Sequence, residues 1–246
     1  MTRIGTPRPR RTVVILLALT AALAACAPVA PAPTKYPVGT ISRVIVYGDS
    51  LTAEAADAIR RDTVARLPGW DVVVRAFPGT AQCDWTEQMV ADADLRPAVV
   101  LIAFFGNRFS PCAVESAWPD RYGSDAEWAW GFWQPRGADV VFIGAPPRVG
   151  ERANPTAEVY RETAARVGAE FVTSNPSFVD PDGVARSRLS CQTGEQGCTD
   201  GAVEVRNPDQ VHMCLIPLVA GPCVVPSPGI NRWSAVLSDA AQRAAS

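Results

Sequence analysis

The sequence has 246 residues, of which 48% are hydrophobic and 20% are charged, and its formal net charge is −2. This is the composition of a globular protein, and it excludes disordered, collagen-like and polytopic membrane proteins. Basic residues cluster only at the extreme N-terminus, which argues against a nucleic-acid partner.

Residues 1–25 have the pattern of a bacterial lipoprotein signal peptide. Four arginines precede an apolar run from Val13 to Ala25 that only Thr20 interrupts, as in secretory signals. The run ends in Leu23-Ala24-Ala25-Cys26, which resembles the lipobox, whose cysteine receives a diacylglyceryl group. A plain signal peptide cleaved near Ala25 and an uncleaved membrane anchor are the alternatives. We expect a lipid on Cys26 that holds the protein at the outer face of the cell membrane.

Two further segments follow the signal peptide. Residues 26–37 are rich in Ala, Pro and Thr, which predicts an extended tether. Residues 38–246 are long enough for one domain with a sizeable core, and we expect this domain to be a monomer.

Within the domain, short β-branched or aromatic runs alternate with longer segments of helical periodicity. The expected strands are Ile41–Tyr47, Asp71–Phe77, Ala98–Phe104, Asp139–Gly144 and Glu170–Thr173. The expected helices are Ala53–Leu67, Trp85–Leu95, Asp125–Trp133, Thr156–Val167 and Asn231–Ala245. This alternation predicts a parallel sheet covered by helices on both faces. Residues 174–230, rich in Pro, Gly, Asp and Cys, predict a loop region held by disulfides.

Six cysteines remain after Cys26, an even number that predicts three disulfide bonds in an exported protein. Six cysteines allow 15 connectivities. Their spacing favours Cys191–Cys198 and Cys214–Cys223 as disulfides that close short loops, which leaves Cys83–Cys112 as the third, longer-range pair. A zinc site is the alternative. However, the chain has no Cys-x-x-Cys pair, so no metal is expected.

A candidate nucleophile follows the first expected strand, in Gly48-Asp49-Ser50-Leu51. A Gly-x-Ser turn between a strand and a helix exposes the hydroxyl at the carboxyl edge of the sheet, where active sites of such sheets lie. The backbone N–H of Ser50 would then lie at a helix N-terminus, which favours negative charge. The alternative is that Ser50 is simply an N-cap.

The only histidine of the chain, His212, is a candidate general base. A serine nucleophile needs a base to take its proton, and imidazole titrates near pH 6.5. Asp209 lies three residues earlier, so it can reach the imidazole and fix its tautomer. The alternative is a structural histidine in a loop.

Two further residues follow strands and could donate to an oxyanion. Gly79 follows the second strand and allows a backbone N–H to approach closely, and Asn107 follows the third and supplies a side-chain amide. A turn glycine and an ordinary loop asparagine are the alternatives.

Taken together, these residues resemble the SGNH (GDSL) hydrolase superfamily from about Ser42 to Met213. Gly48-Asp49-Ser50-Leu51 matches the first block of the superfamily, Gly79 the second, Asn107 the third and Asp209-x-x-His212 the fifth. The third block commonly reads Gly-x-Asn-Asp, whereas this chain has Arg108 after the asparagine. Cys83, Cys112 and Cys214 are similar to cysteines of exported actinobacterial members.

The resemblance implies a three-layer α/β/α flavodoxin-like fold with a central parallel sheet of about five strands, and ester hydrolysis without a cofactor. Ser50 would be the nucleophile, His212 the general acid and base, and Asp209 its orienting partner. The N–H groups of Ser50 and Gly79 and the amide of Asn107 would form the oxyanion hole. The expected substrate is a short-chain ester, such as an acetyl ester, of an envelope glycan or small molecule. An O-acyltransferase and a glycan-binding lipoprotein without activity are the alternatives.

Four tryptophans concentrate after the third block, at positions 118, 128, 130 and 133. The favoured interpretation is a helix whose aromatic face packs on the sheet, because aromatic side chains dominate core burial. The alternative is an aromatic platform for a sugar or acyl chain.

The Cys26→Ala variant tests the lipid anchor. We expect it to leave the membrane fraction, because a diacylglyceryl group with a further chain anchors stably, and fractionation with immunoblotting measures this. Retention equal to wild type would instead indicate an uncleaved membrane anchor.

Overall fold

A central sheet of five parallel strands organises the protein in the computed structural model, which describes residues 41–114, 118–216 and 221–246. The spatial order is β2-β1-β3-β4-β5, and all neighbouring strands are parallel. This is the flavodoxin-like order. The strands are β1 (Arg43–Gly48), β2 (Asp71–Ala76), β3 (Val99–Ala103), β4 (Asp139–Gly144) and β5 (Glu170–Thr173).

The central strands are buried on both faces, which explains their continuous apolar sequences. In β1, Val44 and Val46 face one apolar core, and Ile45 and Tyr47 face the other. All five residues of β3 are buried. Because side chains alternate along a strand, this arrangement requires a layer of helices on each side of the sheet.

Helices supply those two layers. The described helices are α1 (Ser50–Glu54), α2 (Ala56–Arg66), α3 (Thr86–Ala91), α4 (Pro111–Val114), α5 (Asp120–Trp133), α6 (Pro155–Val167), α7 (Asn175–Phe178) and α8 (Pro228–Ala244). Helices α2 and α8 pack together on the face of Val44, where Ile59 and Trp233 are fully buried. Helices α5 and α6 pack on the opposite face, where Tyr122 and Tyr160 are buried.

These layers confirm the predicted three-layer α/β/α fold, while several boundaries differ. The helix predicted over Ala53–Leu67 is two helices, because Ala55 ends α1 with non-helical backbone. The helix predicted to begin at Asp125 begins at Asp120. The region 174–230 also contains α7 and an antiparallel pair, β6 (Arg188–Ser190) and β7 (Ala202–Glu204).

Three disulfides join Cys83 to Cys112, Cys191 to Cys198, and Cys214 to Cys223, which are the pairs that spacing favours. The first links the segment after β2 to the segment after β3, and the third lies beside the His212 loop. None of the helices within the described ranges is both long and apolar enough to cross a membrane. The predicted signal peptide, Cys26 and the tether lie outside the described residues.

Candidate active site

Ser50 is the first residue of α1, at the carboxyl edge of β1. The helix N-cap is Asp49, whose side chain accepts the N–H of Leu51 at 3.3 Å, so the capping role does not fall to Ser50. Gly48 has no room for a side chain, because an added Cβ would lie 2.2 Å from Thr52 Oγ1. The hydroxyl of Thr52 donates to the carbonyl of Ala103 in β3 at 3.1 Å, which fixes the turn against the sheet.

The buried carboxylate of Asp49 connects this turn to the loop that follows β3. Its Oδ2 accepts the backbone N–H of Phe105 at 2.7 Å and the side-chain amide of Asn107 at 3.2 Å. Burial raises the pKa of Asp49 to about 7, although backbone N–H donors oppose that shift. The sequence alone assigned Asp49 no role, because its contacts with residues 105 and 107 join distant parts of the chain.

Asn107 and the turn that contains Gly79 lie next to each other. The amide of Asn107 also donates to the carbonyl of Thr80 at 2.9 Å. Gly79 has φ +81° in the turn Phe77-Pro78-Gly79-Thr80, a conformation in which any other residue is strained. Tyr122 Oη donates to the carbonyl of Asn107 at 3.0 Å. The structure therefore brings the two predicted oxyanion donors together beside the Ser50 turn.

His212 and Asp209 form a close pair in a tight turn. His212 Nδ1 lies 2.6 Å from Asp209 Oδ2, and Asp209 Oδ1 accepts the backbone N–H groups of Val211 at 2.8 Å and His212 at 2.9 Å. Partial burial opposes ionisation of Asp209, but the hydrogen bonds from His212 and Val211 outweigh it and lower the pKa of Asp209 to about 2. Asp209 is therefore ionised at neutral pH and fixes the proton of His212 on Nδ1.

Glu54, one helical turn after Ser50, connects α1 to the histidine loop. Its Oε2 accepts the backbone N–H groups of Met213 at 2.9 Å and Cys214 at 3.0 Å. Its Oε1 lies 3.7 Å from His212 Nε2. Burial raises the pKa of Glu54, while the two N–H donors and His212 oppose the shift.

These contacts place the His212 imidazole beside the helix that begins at Ser50. Among the described residues, no hydrogen bond joins Ser50 to His212. Glu54 was not predicted from the sequence as a site residue. The sequence feature that points to Glu54 is that it is the single acidic residue in the otherwise uncharged segment Leu51–Ala56. All residues of this segment are buried.

Arg206, which was not predicted from the sequence either, supports the same loop from the other side. The guanidinium is buried, donates to the carbonyls of Val211 and, at 3.2 Å, Pro147, and lies 5.0 Å from the Phe178 ring. Burial lowers its pKa to about 10, although the carboxylates of Glu54 and Asp209 oppose that shift. Arg206 remains charged at neutral pH and fixes the backbone directly before His212.

The tryptophans of the third-block region divide between core and surface. Trp133 is fully buried, Trp130 packs partly against the same core, and Trp128 stacks on Phe132 at the surface. Trp118 lines a cavity of about 410 Å³ beside the loop that carries Asn107. Core packing therefore explains part of this stretch, and only Trp118 lies next to the candidate site.

Comparison with known proteins identifies the fold class. The structure superposes on a Bacteroides fragilis protein described as an acylhydrolase, with a TM-score of 0.53, 15% identity and coverage of 83% of this chain and 88% of the other. It also superposes on a GDSL-like lipase from Bacteroides thetaiotaomicron, with a TM-score of 0.51, 14% identity and coverage of 82% and 89%. No protein-family model matches the sequence, and no curated protein matches it significantly. The structural matches confirm the resemblance to SGNH (GDSL) hydrolases at the level of the fold.

Substitution of Glu54 tests whether this carboxylate holds the histidine loop. Glu54→Ala leaves two buried N–H groups without an acceptor, so we expect the free energy of unfolding to fall by about 2–4 kcal/mol. Glu54→Gln retains an acceptor oxygen and should lose less than half as much. Chemical denaturation measures both changes, and amide hydrogen exchange should accelerate at Met213 and Cys214. The exposed Glu87 provides the control Glu87→Gln, and equal effects at both positions would contradict this role.

Proposed function

We propose that the protein is a serine ester hydrolase in which Ser50 is the nucleophile, His212 the general acid and base, and Asp209 the residue that orients His212. One observation carries the proposal. His212 Nδ1 lies 2.6 Å from Asp209, and this contact turns Nε2, the other ring nitrogen, toward α1. Nε2 lies 3.7 Å from Glu54 Oε1, and Glu54 is one helical turn after Ser50 in α1.

The proposed reaction begins with proton transfer. Because ionised Asp209 accepts a hydrogen bond from Nδ1–H, the neutral imidazole keeps its proton on Nδ1 and a lone pair on Nε2. Nε2 takes the hydroxyl proton as Ser50 Oγ bonds to the ester carbonyl carbon. The tetrahedral intermediate then expels the alcohol, which receives that proton from His212. Water hydrolyses the resulting acyl-enzyme by the same two proton transfers in the second half of the cycle.

The oxyanion would be stabilised by donors that the fold positions beforehand. We assign this role to the backbone N–H groups of Ser50 and Gly79 and to the Asn107 side chain. In the unliganded protein the amide of Asn107 is shared between Asp49 and Thr80. An oxyanion would replace the longer of these contacts, the 3.2 Å bond to Asp49, while the bond to Thr80 keeps the amide in place.

We further propose a short acyl group, such as acetyl, and a lipid anchor at Cys26 that places the enzyme at the outer face of the membrane. The cavity beside the site is unsuited to a long acyl chain, because charged and polar residues contribute much of its lining and a long acyl chain requires apolar walls.

Activity measurements on a generic acetyl ester test the nucleophile and the oxyanion donor. We expect Ser50→Ala to abolish hydrolysis above background, and Asn107→Ala to lower kcat by about 10²–10³ with little change in KM. The reason is that the amide bonds to an oxygen that becomes an anion only in the transition state. Asn231, exposed on α8, provides the control Asn231→Ala, which should match wild type.

Different outcomes separate the parts of this proposal. A Ser50→Ala variant as active as wild type would rule out the serine mechanism. An inactive Ser50→Ala with a fully active Asn107→Ala would leave a serine esterase whose oxyanion donor lies elsewhere. Absence of hydrolysis by wild type, with transfer of the acyl group to an added sugar, would indicate an acyltransferase.

The pH dependence of kcat/KM should report the buried carboxyl of Asp49, whose pKa burial raises to about 7. As the pH falls through about 7, Asp49 gains a proton and loses the negative charge that faces the N–H of Phe105 and the amide of Asn107. Weaker hydrogen bonds to a neutral carboxyl hold the Asn107 loop less firmly, so kcat/KM should decline on the acid side. Initial rates measured from about pH 5 to 9 test this. A flat profile would argue against this role of the Asp49 charge.

A further inference from the structure

A cavity adjoins the candidate active site at the carboxyl edges of β3 and β4. Phe105 and Gly106 form one side of it, in the loop that carries Asn107. Residues from the segment after β4 and the start of α6 form the other side, namely Arg148, Glu151, Asn154 and Pro155. The cavity is therefore next to the proposed oxyanion donors, and β3 is the neighbour of the strand that leads to Ser50.

The walls of the cavity are held in place by packing and by hydrogen bonds. Gly106 has φ +117°, and an added Cβ would lie 2.1 Å from Thr156 Oγ1, so the loop lies directly on the first turn of α6. Asn154 caps α6 through the N–H groups of Thr156 and Ala157 and donates to the carbonyl of Phe105 at 3.0 Å. The two sides of the cavity are thus joined to each other.

Two arginines give the cavity an excess of positive charge. Arg108 and Arg148 are exposed lining residues, and neither guanidinium forms an ion pair or hydrogen bond among the residues that the structure describes. Several other surface arginines are paired; for example, Arg66 lies 2.7 Å from Asp239 and Arg166 lies 2.6 Å from Glu127. Glu151 is the one acidic lining residue, so the two guanidiniums exceed it by one charge.

An aromatic side chain lies among these charges. Trp118 lines the cavity, and the Arg108 guanidinium is 5.5 Å from its ring and 5.3 Å from the Phe109 ring. Stacking on aromatic rings orients an arginine and leaves its N–H groups free for a carboxylate or phosphate. The volume of about 410 Å³ lies within the range of small-molecule sites, about 300–1,000 Å³, and greatly exceeds the volume of an acetyl group.

We propose that this cavity binds the alcohol part of the ester, and that this part is a sugar unit carrying an anionic group, either a carboxylate or a phosphate. Arg108 and Arg148 bind the anion, and Trp118 contacts the apolar face of the sugar ring. The proposal rests on the proposed esterase function and names its substrate class.

The experiment compares esters that differ in charge. Acetate release is measured from monoacetylated methyl glucuronoside and from the corresponding glucuronamide, which has nearly the same shape without the charge. Monoacetylated methyl glucoside 6-phosphate distinguishes a phosphate site from a carboxylate site. We expect wild type to prefer an anionic ester over the amide by about threefold to tenfold in kcat/KM. This preference should shrink as salt is added, because salt screens exposed charges.

Matched variants assign the preference to the cavity. For each variant we measure kcat/KM for the anionic ester divided by kcat/KM for the amide ester. Arg108→Gln and Arg148→Gln should each lower this ratio to about one-third of the wild-type value. Glu151→Gln removes the opposing charge and should increase that ratio. Arg152 is exposed and donates to the carbonyl of Asp182, outside the cavity lining. The control Arg152→Gln should therefore retain the ratio of wild type, and an equal loss there would overturn the proposal in favour of a general surface potential.

The remaining outcomes separate this proposal from the esterase function. Hydrolysis of 4-nitrophenyl acetate that depends on Ser50, with equal kcat/KM for charged and amide sugars, would overturn the cavity proposal and leave the esterase. If no ester is hydrolysed, calorimetric binding of unacylated methyl glucuronoside, its 6-phosphate counterpart and the glucuronamide decides the matter. Anion-selective binding weakened by Arg148→Gln would support the cavity site, and equal or absent binding would overturn it.

Discussion

The arrangement of the candidate site depends on one buried carboxylate, that of Asp49. It caps the helix that begins at Ser50 and also accepts hydrogen bonds from Phe105 and Asn107. Burying a carboxylate is costly unless donors surround it, and here the donors come from helix α1 and from the loop after β3, which are far apart in sequence. Once these bonds form, neither segment can move without leaving a buried acceptor or donor unpaired, so Ser50 and Asn107 are fixed relative to each other.

The loop that carries His212 is also held by buried charged side chains that bond to backbone groups. Glu54 accepts two backbone N–H groups immediately after His212, and Arg206 donates to the carbonyl immediately before it. Both charged groups are buried and bond to backbone rather than to each other. Since Glu54 and Asp49 belong to α1 and its cap, a helix of five residues connects all three parts of the candidate site.

Local sequence patterns predicted most of the fold. The central strands were predictable because they are nearly continuous apolar runs. Ser50, Asp209 and His212 were chosen as candidates because their spacing places reactive groups in turns, and their catalytic roles remain predictions. The roles of Asp49, Glu54 and Arg206 were not predictable, since each arises from contacts over long sequence separations. Strands β6 and β7 were missed because three-residue strands carry too little alternation to distinguish them from a loop.

The structure also explains why Arg108 is compatible with the rest of the third block. Its side chain lies over Phe109 and Trp118, while Asn107 is held by Asp49, Thr80 and Tyr122. The position of Asn107 therefore does not depend on a carboxylate at position 108. An aspartate there would add a second negative charge to a cavity that already contains Glu151, whereas arginine makes the cavity cationic. Arginine instead of aspartate after Asn107 thus changes the charge of the neighbouring cavity and leaves the contacts of Asn107 intact.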